Sequence, residues 1–191
     1  IDASINGCYQ GRKHSINSGS YVLIPENVLL GAQSGFTLQC WIYPTTPMKS
    51  SQGIFTNWCA ATQTGYGLFI SDNGHLSVWL KGENSSHIEV NGGVELQGNS
   101  WYFVSISYDA KNRKVILVQS PMLGWPGNPQ VVVEQELEKS IILNNKGAVS
   151  ISCYFSGDAS RSGSMLGFFN GKIESPRLFN RGLSIEEMIG L

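Results

Sequence analysis

The sequence predicts an all-β sandwich of two antiparallel sheets, built as one domain over residues 1–191. Three observations carry that prediction: apolar residues alternate with period two in many short runs, charged residues make up only 14% of the chain, and 22 glycines fall largely between those runs. So few charges leave little material for the polar faces that surface helices carry. Glycine, Asn and Ser between the runs supply the positive-φ and Asx turns that a many-stranded protein needs.

In chain order, "SYVLIP" (20–25) opens the series. "FTLQCWIYP" (36–44) sets Phe36, Leu38, Cys40 and Ile42 against Thr37, Gln39, Trp41 and Tyr43; both sets are bulky, so this strand is expected to be covered on both faces. "GIFTNW" (53–58), "YGLFIS" (66–71) and "HLSVWLK" (75–81) follow, the last two joined by "DNG", a strong hairpin signal. "SHIEVNG" (86–92) reads as a short strand. "WYFVSISYDAKNRKVILVQS" (101–120) reads as a long hairpin around "DAKNRK". "QVVVEQELEKS" (130–140), "AVSISCYF" (148–155) and "GKIESPRLFN" (171–180) bring the expected total to about eleven strands. Only "LSIEEMIG" breaks the pattern: Ser184 is a good N-cap, Glu187 completes a capping box, and Gly190 stands near the end, so two turns of amphipathic helix are expected.

Function classes narrow by exclusion. A formal net charge of −1 without a Lys/Arg cluster argues against nucleic acid and anionic membranes as partners. No run of about 18 apolar residues and no signal pattern occurs, so a cytoplasmic location is expected, or an extracellular one for a sugar-binding domain. The chain starts at Ile1, which suggests excision from a larger chain. Cys8, Cys40, Cys59 and Cys153 are widely spaced without a CxxC pair, so neither a metal nor another cofactor is expected; buried free thiols are favoured, with one or two disulfides as the alternative.

Ordered features over residues 18–190 resemble the laminin-G-like, concanavalin-A-like jelly-roll family. "FTLQCWIYP" is similar to its first core strand, "GYGLFISDNGHLSVWL" to its central hairpin, "WYFVSISYD" to its Trp-led strand, and "FNGKIESPRLFNRGLSIEEM" to its closing strand and helical turn. The resemblance implies that the last strand returns beside the first and that the chain ends lie close together. Where a Tyr-x-Asp-Gly-like turn is usual, "VILVQSPMLGWPG" runs into a Pro/Gly loop. In this the chain resembles the jelly-roll region of the large subunit of N,N-dimethylformamidase-like amide hydrolases, in which the resemblance implies a metal centre in a different domain. The expected role is then a non-catalytic module that packs against a catalytic domain or subunit of the same protein.

Three groups of residues are candidates for chemistry or contact. "EQELE" would project Glu134, Glu136 and Glu138 from one strand face, as in jelly-roll glucanases, with Glu134 and Glu138 as the glycosidase pair. Retaining chemistry needs carboxyl groups about 5–5.5 Å apart, whereas alternate residues lie about 6.6 Å apart and the outer pair about 13 Å; an exposed polar face is the plainer reading. Trp58, Tyr66, Trp125 and Tyr154, near strand ends or loops, could be carbohydrate platforms, whereas Trp41, Trp79 and Trp101 are expected in the core. Met122, Leu123 and Trp125 would form an apolar patch for a partner. His14, His75 and His87 read as surface or turn residues, and Asp72, Asp109 and Asp158 as turn formers.

Overall fold

A computed structural model describes residues 19–26, 34–123, 127–143, 147–157 and 165–190. The strands, in chain order, are β1 (Val22–Ile24), β2 (Gly35–Pro44), β3 (Gln52–Cys59), β4 (Thr64–Ile70), β5 (His75–Lys81), β6 (Ile88–Glu95), β7 (Tyr102–Asp109), β8 (Lys114–Pro121), β9 (Val131–Glu136), β10 (Val149–Ile151), β11 (Tyr154–Phe155), β12 (Met165–Leu166) and β13 (Gly171–Phe179), followed by the helix α1 (Ile185–Ile189). One sheet runs β1-β10-β3-β4-β5-β6, with β11 and β12 beside β3; the other runs β13-β2-β7-β8-β9. Thirteen strand segments among the described residues exceed the expected eleven because the run at 148–155 splits and a further short strand, β12, forms at Met165–Leu166. Ser152, at φ +77°, turns the chain between β10 and β11, and β11 then pairs parallel with β3 at Phe155 and Cys59.

The alternation decides which side of each strand is buried. Leu38, Ile42, Leu68, Ile70, Leu76, Val78, Val104, Ile106 and Leu117 meet between the sheets and are fully buried. Removing each such side chain from water stabilises the fold by about 1.5–3 kcal/mol. Tyr108 locks the end of this core: its hydroxyl donates to the Ile141 carbonyl at 3.0 Å and accepts the Ile141 N–H at 2.7 Å. Leu137, Ile141 and Leu143 are thereby held in the core. Strand β9 stops at Glu136, and the third carboxylate of "EQELE", Glu138, lies beyond the strand. Glu134 pairs with Lys114 instead.

Hairpin chemistry follows the sequence. Between β7 and β8 the Asp109 carboxylate accepts the Asn112 N–H at 3.0 Å and its amide Nδ2 at 2.7 Å. Desolvation opposes charge on Asp109, but those two bonds and Lys111 hold its carboxyl below the usual range. Gly74, at φ +75°, makes the "DNG" turn between β4 and β5. Asp72 in that turn accepts both the Ser51 N–H and the Ser51 hydroxyl at 2.6 Å. Asp158 lies outside the described residues.

β13 returns beside β2, from Gly171 opposite Pro44 to Phe179 opposite Thr37, with one register shift between Glu174 and Arg177. At the other end of the described chain, Gly19–Val22 border a common cavity with Gly171, Ile173 and Pro176. Helix α1 then crosses the outer face of the five-stranded sheet. Leu183, Ile185 and Met188 cover Ile116, Val118, Phe103 and Phe179 in a second, smaller core. Its start is the expected capping box: Ser184 Oγ accepts the Glu187 N–H at 3.3 Å, and the Glu187 carboxylate accepts the Ser184 N–H at 2.9 Å. Strand β2 is covered on both faces because one face meets the other sheet and part of the other meets this helix.

Candidate functional site

The outer face of the larger sheet carries a group of aromatic rings assembled around two glycines. On β4, Gly65 pairs with Trp58 and Lys81, and Gly67 pairs with Thr56 and Trp79. A Cβ at Gly67 would stand 2.9 Å from both Phe69 Cε2 and Thr56 Cβ, and one at Gly65 only 1.8 Å from the Asn57 carbonyl oxygen. Gly65 lets the backbone of β3 come close, and the bare face of Gly67 admits the edge of the Phe69 ring, around which further rings gather. Trp79 stacks on Phe69 with ring centroids 4.1 Å apart and meets Trp58 edge-on at 5.5 Å. Tyr154 approaches Phe69 at 5.9 Å and Trp79 at 6.4 Å. His87 stands 5.4 Å from Trp58 and 5.9 Å from Trp79.

Burial within this group is graded. Phe69 and Trp58 form its floor, Trp79 and Tyr154 are half-buried, and His87 is exposed. The indole Nε1 of Trp79 is buried without a partner. Beside the rings, on β5 and β6, lies a polar row. His75 Nδ1 meets Asn91 Oδ1 at 2.9 Å, Asn91 Nδ2 donates to Ser77 Oγ at 3.1 Å, and Asn91 Oδ1 also accepts the Gly93 N–H at 2.8 Å. Partial burial lowers the pKa of His87, with Lys81 pushing the same way and Glu89 opposing, which favours the neutral imidazole near pH 7. Half-exposed aromatic carbon next to neutral donors and acceptors can hold a sugar-like ring: its C–H face packs on the arene and its hydroxyls reach the polar row. Among the described residues no group of three or more His, Cys, Asp or Glu is placed to share a metal ion.

The residues singled out in the sequence divide. Trp58 and Tyr154 come together in the aromatic group, although Trp58, at 4% exposure, supports the others and is not itself a contact surface. Tyr66 does not fit a ligand role. It is 1% exposed in the inter-sheet core, its ring 4.4 Å from Phe36, and burial pushes its phenol up to about 12. Strand β4 turns this side chain inward together with Leu68 and Ile70. Met122 and Leu123, just past β8, are 65% and 74% exposed. Trp125 and Cys8 lie outside the described residues, as does His14. Trp41, Trp79 and Trp101 are not in the inter-sheet core as expected; all three are half-buried on outer faces. Cys40, Cys59 and Cys153 are free thiols, Cys40 and Cys153 buried and Cys59 partly so.

Trp79, Phe69, His87 and Asn91 escaped the sequence reading as site residues. Their signal was the spacing of Gly65 and Gly67: two glycines on one face of a strand, between strands that carry Trp on that same face.

This architecture, a sandwich of two antiparallel sheets followed by one short helix, is the concanavalin A-like fold. The chain belongs to the concanavalin A-like lectin/glucanase superfamily, whose laminin G-type model matches residues 17–117. Two curated relatives match almost end to end: the N,N-dimethylformamidase beta subunit of Paracoccus aminophilus at 24% identity over all of this chain, and that of an Alcaligenes species at 21% over 98% of it. The chain spans about a quarter, 26%, of the length of either relative. Among solved structures, the CBM40 domain of Ruminococcus gnavus IT-sialidase bound to α2,3-sialyllactose is similar with a TM-score of 0.63 and 18% identity, covering 93% of this chain and 95% of that one. The LG1-3 region of the laminin α2 chain is similar with a TM-score of 0.62 and 12% identity, over 87% of this chain and 31% of that one. At these identities the structural likenesses establish the fold.

Proposed function

We propose that this domain is a non-catalytic interaction module of a larger N,N-dimethylformamidase-like amide hydrolase, and that it packs against the catalytic part of the same protein. The observation that carries the reading is the end-to-end similarity of the whole chain to about a quarter of a much longer subunit. A surface suited to such packing lies where β8 ends. Met122 and Leu123 are exposed there, and the Met122 N–H donates to the Trp101 carbonyl at 2.8 Å, which seats the pair beside the half-buried rings of Trp101 and Tyr43. Exposed apolar patches mark interaction sites, and aromatic residues and Met are enriched at interfaces. Changing Met122 and Leu123 together to Ser should weaken association with the rest of the parent polypeptide at least tenfold while leaving the melting temperature of the domain unchanged. Unchanged association of the folded double variant would remove this surface from the interface.

A second reading, carbohydrate binding, rests on the outer face of the larger sheet, where Trp79 and Tyr154 stand beside His75, Ser77 and Asn91. Glycan-array binding lost in both Trp79→Ala and Asn91→Ala would support it. An array on which the intact chain retains nothing would end it.

A further inference from the structure

On the opposite side of the molecule, the C-terminal helix covers only part of the five-stranded sheet. From beneath the helix out to the open part of the face, the outward residues fall in rows: Arg177, Gln39, Ser105 and Val118 in one, Glu174, Trp41, Phe103 and Ser120 in the next. Where α1 ends, these rows border a cleft of about 320 Å³ lined by Gln39, Trp41, Phe103, Ser120, Met188 and Ile189, with Ser175 and Arg177 at its edge. Trp41 and Phe103 meet edge-on at 5.7 Å and form an aromatic wall. A register shift in β13 between Glu174 and Arg177 puts Ser175 at φ +49°, and a bulge of this kind commonly re-aims side chains at a functional edge.

Gln39 is the unexplained member of the cleft. It is 2% exposed, yet its Oε1 accepts no hydrogen bond. Neither cross-strand neighbour, Arg177 or Ser105, donates to it; the one hydrogen of the Ser105 hydroxyl is within reach of the Leu38 carbonyl at 3.2 Å and of Met188 Sδ at 3.0 Å instead. Buried acceptors left without a donor are uncommon in folded proteins. We infer that the cleft between α1 and the Trp41–Phe103 wall is a binding site for a small uncharged ring compound bearing one hydrogen-bond donor, a hydroxyl or an amide N–H, which Gln39 Oε1 receives. The ring packs on Trp41 and Phe103, and Met188 and Ile189 close over it. The volume is about twice the roughly 150 Å³ that holds a benzene ring, so one six-membered ring with a substituent fits. This site does not depend on the proposed role of the domain in a larger enzyme.

The test uses the full 191-residue chain with phenol and toluene as probes, which match in size and differ in the donor. Titration by ligand-observed NMR should show phenol binding about fivefold more tightly than toluene, the ratio that one net hydrogen bond supplies. Gln39→Leu should keep toluene binding and abolish the preference for phenol. Ser120→Leu, which fills the cleft from the other side, should block both probes and guards against failure of Gln39→Leu to fold. The proposal is overturned if neither probe binds the intact chain at millimolar concentration, if the preference survives in folded Gln39→Leu, or if both probes bind the folded Ser120→Leu protein as before.

Discussion

Thr37 and Leu183, 146 residues apart, are joined by one side chain: the Leu183 N–H donates to Thr37 Oγ1 at 3.0 Å, and the Thr37 hydroxyl donates onward to the Arg181 carbonyl at 2.8 Å. This clasp fastens the segment before α1 to the outer face of β2. From there the capping box and the Arg181–Glu187 pair, with contacts of 2.9 and 3.1 Å, start the helix.

Thr37→Val keeps the shape of the side chain and leaves a buried N–H and a carbonyl without partners. A loss of about 2 kcal/mol is expected, read as a lower urea midpoint at unchanged slope. Met188→Ala should cost about 2–5 kcal/mol, because Met188 is fully buried beneath the helix. If Met188→Ala left the midpoint unchanged, α1 would not be docked on the sheet.

Trp58 distinguishes support from contact in the aromatic group. Trp58→Ala removes a ring packed against Phe69, Trp79 and His87 and should destabilise the domain by about 3–5 kcal/mol, measured by thermal unfolding. A folded Trp58→Ala protein with an unchanged melting temperature would return Trp58 to the list of exposed platforms.

The thiols should react in an order set by burial. Desolvation raises the pKa of Cys40 well above the usual thiol range and pushes that of Cys153 up to about 11, so neither forms thiolate near pH 8 in the folded state. Cys59 is half-exposed, its thiol 3.2 Å from the Gly157 carbonyl. Alkylation at pH 8 followed by peptide mapping should label Cys59 in the native protein, and Cys40 and Cys153 only after denaturant is added. Rapid native labelling of Cys153 would contradict the burial described.

His87 predicts a modest pH effect. Its folded pKa lies below the unfolded value of about 6.5, so the unfolded chain binds the extra proton and stability rises with pH. The contribution is complete above pH 6.5 and is lost as pH falls through the folded value. His87 is exposed, so the shift in melting temperature between pH 7.5 and 5 should be small, and it should be smaller still in His87→Gln. An equal or larger shift in that variant would place the titrating group elsewhere.

The fold was legible where alternation was strong. "FTLQCWIYP" announced a strand with two covered faces, and "LSIEEMIG" announced its own helix start, because capping and period-two patterns are local. "EQELE" kept its plainer reading, with Glu134 and Glu136 on an exposed face, but the strand ends at Glu136, short of the expected 140, and Tyr108, on another strand, binds Ile141 beyond it. Tyr66, by contrast, misled. Its position near a turn looked peripheral, but the phase of β4 directs it into the core beside Phe36. The aromatic face depends on which strands become neighbours, and that pairing is set by contacts between distant parts of the chain. The spacing of Gly65 and Gly67 was visible in sequence, but the rings that gather beside them were not.

The mass and activity of the native polypeptide test the central claim most directly. Antibody raised against residues 1–191 should isolate from the source cells a polypeptide about four times the 20.9 kDa of this chain, and the same fraction should hydrolyse N,N-dimethylformamide. A native species of about 21 kDa, or a large one that binds glycans and leaves the amide intact, would contradict the assignment to an amide hydrolase.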